Sequence, residues 1–310
     1  MSNCLMCYKD AGDREFHEKC AKRFFKMASM PELELDKRLL KRLAEETINK
    51  RIAITGVQPK LSLTLEKVGQ TGSRLTIVGL WGTFILKPQH DKIPFMPETE
   101  DLTMHLASLF GIEVCAHTLL RATDGNLVYI AKRFDREKGK KIHMEDFCQL
   151  SEFLTENKYK GSYEKAGKLI LKYCTNTGID ALKYFELLLF SYLTGNNDMH
   201  LKNFSVLHLD KMITLSPAYD LINVNLINPR DKEELALMLS GKKTNIRLMD
   251  FEALGKLLAI PEKVRKSCYE KYSTANKPVH DLIMSSFLAN GNRQKYWTIW
   301  QKKQAIFLNQ

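Results

Sequence analysis

Asp198, His200, Lys202 and Asn203 crowd into LTGNNDMHLKNFSVL (193–207), directly after the apolar run FELLLFSYL. A polar group beside a core helix costs free energy unless it finds a partner, so this cluster reads as a site rather than as packing. The interval Asp198-x4-Asn203 suits phosphoryl transfer, where an aspartate takes the proton of the acceptor hydroxyl and an asparagine amide oxygen binds magnesium. One such interval is common by chance, so its weight comes from its company. Asp220, in LSPAYDLINV, follows the strand-turn-strand pattern FSVLHLDKMITLS. A hairpin entered at Asn203 and left at Asp220 would bring both oxygens to one hard Mg²⁺ ion.

Lys87 ends the strand-like run TFILKP and offers a point charge for nucleotide phosphates. Glu98 or Glu100, on the helical pattern that follows, could pair with it and fix its direction. Thr55, Gly56, Val57, Gln58, Pro59 and Lys60 form a turn between alternating runs, with Gly56 allowing close backbone approach, although the turn lacks G-x-G-x-x-G. Each part has a plainer reading. Asp198 to Asn203 could be a polar turn ending a helix, Lys87 an edge-strand charge before Pro88, and Glu100 a partner of its own helix dipole. Together, the order loop, lysine, acidic helix, Asp…Asn, Asp is that of a bilobal kinase.

A second constellation sits at the N-terminus. Cys4-x-x-Cys7 and His17-x-x-Cys20 are two pairs spaced to clip a tetrahedral Zn²⁺, against the alternative of four unrelated residues with free thiols. Such a zinc would be structural, stapling a short head to the body. Cys115, Cys148, Cys174 and Cys268 read as small core hydrophobes, and Trp297 and Trp300 as core or interface anchors.

The elements that must carry these residues divide the chain. Residues 1–25 form the Cys/His head, 26–134 a strand-rich lobe with the phosphate loop, and 135–310 a helical lobe with the catalytic and metal-binding loops. Helical spacing marks 31–50, and alternation marks strands in RIAIT, LSLTLEKV, RLTIVG and TFILKP. A helix over 98–110 closed by Gly111 and strands over 113–121 and 127–134 follow. Helices are expected over 144–155, 163–175, 179–194, 250–258, 261–274, 279–289 and 295–307. The fold class is α+β, two lobes with a crevice between them. A net charge of +11 over 310 residues favours anionic partners, but the basic runs are spread and read as solvated loops. Apolar stretches fall short of the about 18 residues of a membrane span, and the N-terminus lacks a signal-peptide core, so a cytoplasmic location with no membrane partner is expected.

GVQPKLSL, FILKPQ, PETEDLTMHLASLFGIEV, IAKRFDR, EDFCQLSE, GNNDMHLKNFSVL, LSPAYDLINV and ELALMLSGKK together resemble the HipA family of bacterial serine/threonine kinases over about residues 51–245. The chain is most similar to the short HipT-type members. The resemblance implies a protein-kinase-like fold, ATP with Mg²⁺ as donor, an aminoacyl-tRNA synthetase as protein target, and a HipB- or HipS-like antitoxin through which alone DNA is met. It implies Asp198 as catalytic base, Asn203 and Asp220 as Mg²⁺ ligands, Lys87 on the phosphates, and Lys132, Arg133 and Phe134 at the adenine. His200 and Lys202 would lie over the phosphates, with Lys202 neutralising the transferring group. Family members carry serines before the loop glycine, where autophosphorylation acts. Here the segment is Ala53-Ile54-Thr55, which leaves Thr55 as the loop acceptor. Other readings are a catalytically silent co-repressor bound to DNA with an antitoxin, and a kinase of lipids or small molecules.

Overall fold

The structure is a computed structural model that describes residues 2–33, 60–68, 72–78, 81–137 and 139–308. Thr55, Gly56, Val57, Gln58 and Pro59, the RIAIT strand and most of the helix expected over 31–50 lie outside the described residues. The chain divides into two compact units. The first is Met1–Leu102 with Cys115–Arg133 and Ser285–Leu288; the second is Thr103–Val114 with Phe134–Met284 and Ala289–Gln310.

The first unit is built on a sheet of β1 (Leu61–Val68), β2 (Gly72–Ile77), β3 (Phe84–Lys87), β4 (His117–Arg121) and β5 (Leu127–Lys132). The order is β2-β1-β3-β5-β4 and every pairing is antiparallel. Period-two alternation puts Leu61 and Leu63, Phe84 and Leu86, and Val128 and Ile130 into one apolar cluster. Helix α1 (Glu18–Phe25) covers that cluster with Ala21, Phe24 and Phe25. The Phe24 and Phe25 rings lie 5.7 and 5.8 Å from that of Phe84. By the same pleat, Ile85 and Lys87 point to the opposite face.

Helix α2 (Met96–Leu109) ends where Gly111 takes φ 73° and Ile112 N–H closes on Ala107 O at 3.1 Å. The division between the units falls inside this helix, after Leu102.

In the second unit, the expected helix over 144–155 is replaced. Residues Arg136–Glu137 (β6) and Lys140–Lys141 (β7) make a small ribbon, and His143–Asp146 (β8) pairs with Ser205–Leu209 (β9), which pairs with Met212–Leu215 (β10). Only then does a four-residue helix, α3 (Phe147–Leu150), begin, at a capping box of Asp146 and Gln149. Ladder bonds to β9 outweigh the helical spacing before Asp146. The helices α4 (Tyr163–Tyr173) and α5 (Thr177–Leu193) follow, and α5 is buried from Leu187 to Leu193. Next come α6 (Val224–Ile227), α7 (Leu248–Leu257), α8 (Glu262–Thr274), α9 (Asn276–Ser285) and α10 (Asn290–Leu308). Trp300 is fully buried and stacks on Phe110 at 5.5 Å; Trp297 meets His280 at 5.2 Å. Cys115, Cys148, Cys174 and Cys268 are buried free thiols. Among the described residues no helix is long and apolar enough to cross a membrane.

Phe84 joins sheet and head, so Phe84→Ala leaves a cavity beneath α1. Urea denaturation is expected to show a loss of about 3–5 kcal/mol.

Candidate active site

Within the first unit, Lys87 and Glu100 are buried to 4% and 1% exposure, and Lys87 Nζ donates to Glu100 Oε1 at 2.5 Å. The ammonium also lies 5.4 Å from the centre of the Tyr129 ring. Neither charge could be held there without its partner. The start of α2 carries three buried carboxylates, each with its own donor. Glu98 accepts from Gln89 Nε2 at 2.8 and 2.9 Å, and burial pushes its carboxyl above the ordinary range. Asp101 accepts from the Tyr8 hydroxyl at 2.7 Å and lies 2.7 Å from His117 Nδ1. Of the two glutamates considered for Lys87, it is therefore Glu100 that meets it. Lys60 lies exposed before β1. Lys132 and Arg133 are half-buried at the end of β5, tied by backbone bonds to Ala116 and Thr83.

Within the second unit, α5 ends at a tight reversal. Gly195 has φ 69°, and a Cβ there would come within 2.8 Å of Asn225 Oδ1, so glycine is required. The chain then runs through Asp198 into a 3₁₀ turn, Leu201–Asn203. Asn203, itself buried, donates its Nδ2 to the Asp198 carbonyl at 2.8 Å, which leaves its Oδ1 as the acceptor end of the amide. Asp198 Oδ1 accepts from the Tyr159 hydroxyl at 2.6 Å and lies 3.9 Å from His200 Nε2. His200 is buried; its ring sits edge-on to Tyr159 and its Nδ1 has no hydrogen-bond partner among the described residues. Burial lowers its pKa against the opposing pull of Asp198. Lys202 Nζ donates to Asp146 Oδ2 at 2.7 Å, so action on a transferring group requires exchanging that pair.

The hairpin β9–β10 returns the chain to Tyr219 and Asp220. The Tyr219 hydroxyl donates to the Lys202 carbonyl at 2.9 Å, and its oxygen lies 2.6 Å from Ser205 Oγ, whose proton it must accept. This one hydroxyl ties the residue before Asn203 to the residue before Asp220. Asp220 has φ 61°, a left-handed conformation that aspartate tolerates and that marks positions fixed by their surroundings. Phe134 packs its ring 5.5 Å from that of Tyr219. Asn amide and Asp carboxylate oxygens are a hard donor set fit for Mg²⁺. Tyr159, Tyr219 and Asp146 are absent from the sequence reading. Tyr219 carried a signal, an aromatic with a polar tip beside Asp220; Tyr159, 39 residues before its partner, carried none.

At the N-terminus, the ligand atoms of Cys4, Cys7, His17 and Cys20 all lie within 4.8 Å of one another. Burial pushes the Cys20 thiol up to about 12, and the neighbouring Cys4 and Cys7 add to the shift.

Residues 52–278 match the model of the HipA-like C-terminal domain family. The Sinorhizobium fredii protein named "Putative kinase Y4mE" is 30% identical over 209 residues, 64% of this chain and 48% of that protein. The "Serine/threonine-protein kinase toxin HipA" of Shewanella oneidensis is 26% identical over 213 residues, 62% of this chain and 47% of that one. The chain thus spans about half the length of the curated relatives it matches. A solved complex of Shewanella oneidensis HipA with HipB and operator DNA aligns with a TM-score of 0.65 at 21% identity, covering 85% of this chain and 70% of that one. The fold is therefore α+β and HipA-like.

Two outcomes test this geometry. His200 has a folded pKa below its unfolded value of about 6.5, so as pH falls through that window the unfolded chain takes up the proton first and stability declines. Urea titrations between about pH 5 and 8 are expected to show this slope reduced in His200→Gln. Tyr219→Phe removes the shared hydroxyl and is expected to lose about 1–2 kcal/mol of stability in the same assay.

Proposed function

Because the chain belongs to the HipA-like C-terminal domain family, we propose that it is an ATP- and Mg²⁺-dependent serine/threonine kinase of a toxin–antitoxin pair. The observation that carries this reading is the Tyr219 clamp, which with the Asn203–Asp198 bond holds base, amide and carboxylate positions on one loop and hairpin.

In this reading Asp198 accepts the proton of a seryl or threonyl hydroxyl as that oxygen bonds the γ-phosphorus and ADP leaves. The Tyr159 hydroxyl, on Oδ1, orients the carboxylate and leaves Oδ2 toward the acceptor. Asn203 Oδ1 and the Asp220 carboxylate hold Mg²⁺, which when bound neutralises phosphate charge. Lys87, aimed by Glu100, supplies a fixed positive charge to the phosphates, and His200, held neutral by burial, adds a hydrogen-bonding ring. Thr55–Lys60 serve as the phosphate loop, with Thr55 the acceptor for autophosphorylation, and Lys132, Arg133 and Phe134 serve the adenine. An antitoxin of the HipB kind is the proposed partner, by analogy with the Shewanella complex. The substrate proposed from the family resemblance is an aminoacyl-tRNA synthetase.

The test is phosphate transfer from γ-labelled ATP by the full chain, alongside thermal protection by Mg²⁺ and a non-hydrolysable ATP analogue. Asp198→Asn is expected to lower transfer about 10³-fold while keeping the protection, and Asp220→Asn to lose both. Near wild-type transfer by either variant would overturn these roles. Nucleotide protection without transfer in the wild type would favour the silent co-repressor.

A further inference from the structure

The N-terminal head precedes the family match at residue 52 and takes no part in the proposed chemistry. Its first pair lies on a tight turn. Cys7 and Tyr8 both donate backbone N–H to the Cys4 carbonyl, at 3.3 and 2.9 Å, and Tyr8 takes φ 61°. A non-glycine residue in that conformation is held there by its surroundings. The second pair opens α1, with His17 as N-cap and Cys20 in the first turn, bonded through its N–H to His17 O at 2.9 Å. The His17 N–H points at Cys4 Sγ from 3.4 Å.

The dimensions are those of a metal tetrahedron. Bonds of about 2.3 Å to sulfur and 2.0 Å to nitrogen require S···N edges of about 3.5 Å. Cys7 Sγ and Cys20 Sγ stand 3.4 and 3.8 Å from His17 Nδ1. The other imidazole nitrogen, Nε2, lies 2.9 Å from the Asp10 carbonyl. A carbonyl only accepts, so the proton resides on Nε2 and the Nδ1 lone pair faces the sulfurs, the outer-sphere arrangement of ligating histidines. Cys4 is fully buried and the other three are partly covered. We propose that Cys4, Cys7, His17 and Cys20 bind one structural Zn²⁺ that fastens the head to the sheet of the first unit. Four protein ligands close the coordination, soft thiolates select zinc over hard cations, and binding releases the three thiol protons.

The head touches both flanks of the buried ion pair. Phe24 and Phe25, from the helix that carries Cys20, pack on Phe84, three residues before Lys87 in β3. Tyr8, next to Cys7, donates to Asp101, next to Glu100. The metal therefore acts as a positioning element for Lys87 and Glu100, and its effect on β3 is readable without any assay of catalysis.

The experiment uses the full chain purified without chelator. Elemental analysis is expected to give about one zinc per chain, lost in Cys7→Ser and Cys20→Ser and kept in Cys174→Ser. Exchange with Co²⁺ is expected to give the intense visible bands of tetrahedral thiolate coordination, a readout that stands if the serine variants fail to fold. Metal removal is expected to speed hydrogen exchange in α1 and β3. Zinc below about half an equivalent, with no such Co²⁺ bands, overturns the proposal. So does stoichiometric zinc retained by both serine variants.

Discussion

A lysine ammonium cannot stay charged in a protein interior unless a carboxylate meets it, and the first unit is organised around that requirement. Lys87 reaches the interior because β3 ends there with its pleat turned away from the head. Glu100 reaches it because α2, after Met96 and Pro97, buries the carboxylates Glu98, Glu100 and Asp101 near its start. The neighbouring acids obey the same rule, Glu98 on Gln89 and Asp101 on Tyr8 and His117. Three carboxylates within about one turn of a buried helix are stable only as a set of separate pairs. Each pair fixes the rotation of α2 against its surroundings, and with it the direction of Lys87.

The second unit solves a similar problem with neutral groups. The loop after α5 must leave a buried helix, expose one carboxylate and keep its backbone satisfied. Gly195 makes the reversal, the Asn203 amide takes up the Asp198 carbonyl, and the Tyr219 hydroxyl takes up that of Lys202. The result is a loop in which two main-chain carbonyls are taken up by side-chain donors, while the Asp198 carboxylate is held by the Tyr159 hydroxyl and Lys202 by Asp146. Preorganised dipoles and charges of this kind are what phosphoryl transfer needs from a protein, since the covalent work is small. Asp220, at its positive φ, belongs to the same economy of fixed positions.

The head lies outside the family match, which covers residues 52–278. Its core residues Cys4, Met6, Ala21, Phe24 and Phe25 are continuous with those of the sheet, so the first unit has one apolar core rather than a core and an appendage. A short terminus contributes little burial of its own, and small elements of this size are commonly fastened by a metal or a disulfide. The three head cysteines are free thiols grouped about one imidazole.

Much of this was determined by the sequence alone. Alternation in LSLTLEKV and FILK set strands, the run FELLLFSYL set a buried helix, and the spacings Asp198-x4-Asn203 and Cys4-x-x-Cys7 nominated chemistry, because period and spacing are local properties of a chain. The helical spacing over 144–146 yields to a strand because the partner that claims these residues, Leu207 to Ser205, lies far along the chain. Only the tertiary structure chose Glu100 over Glu98 for Lys87, gave Lys202 to Asp146, and brought Tyr159 and Tyr219 to the loop. Those choices depend on which buried donor faces which acceptor once the elements have packed, and no interval along the chain encodes that.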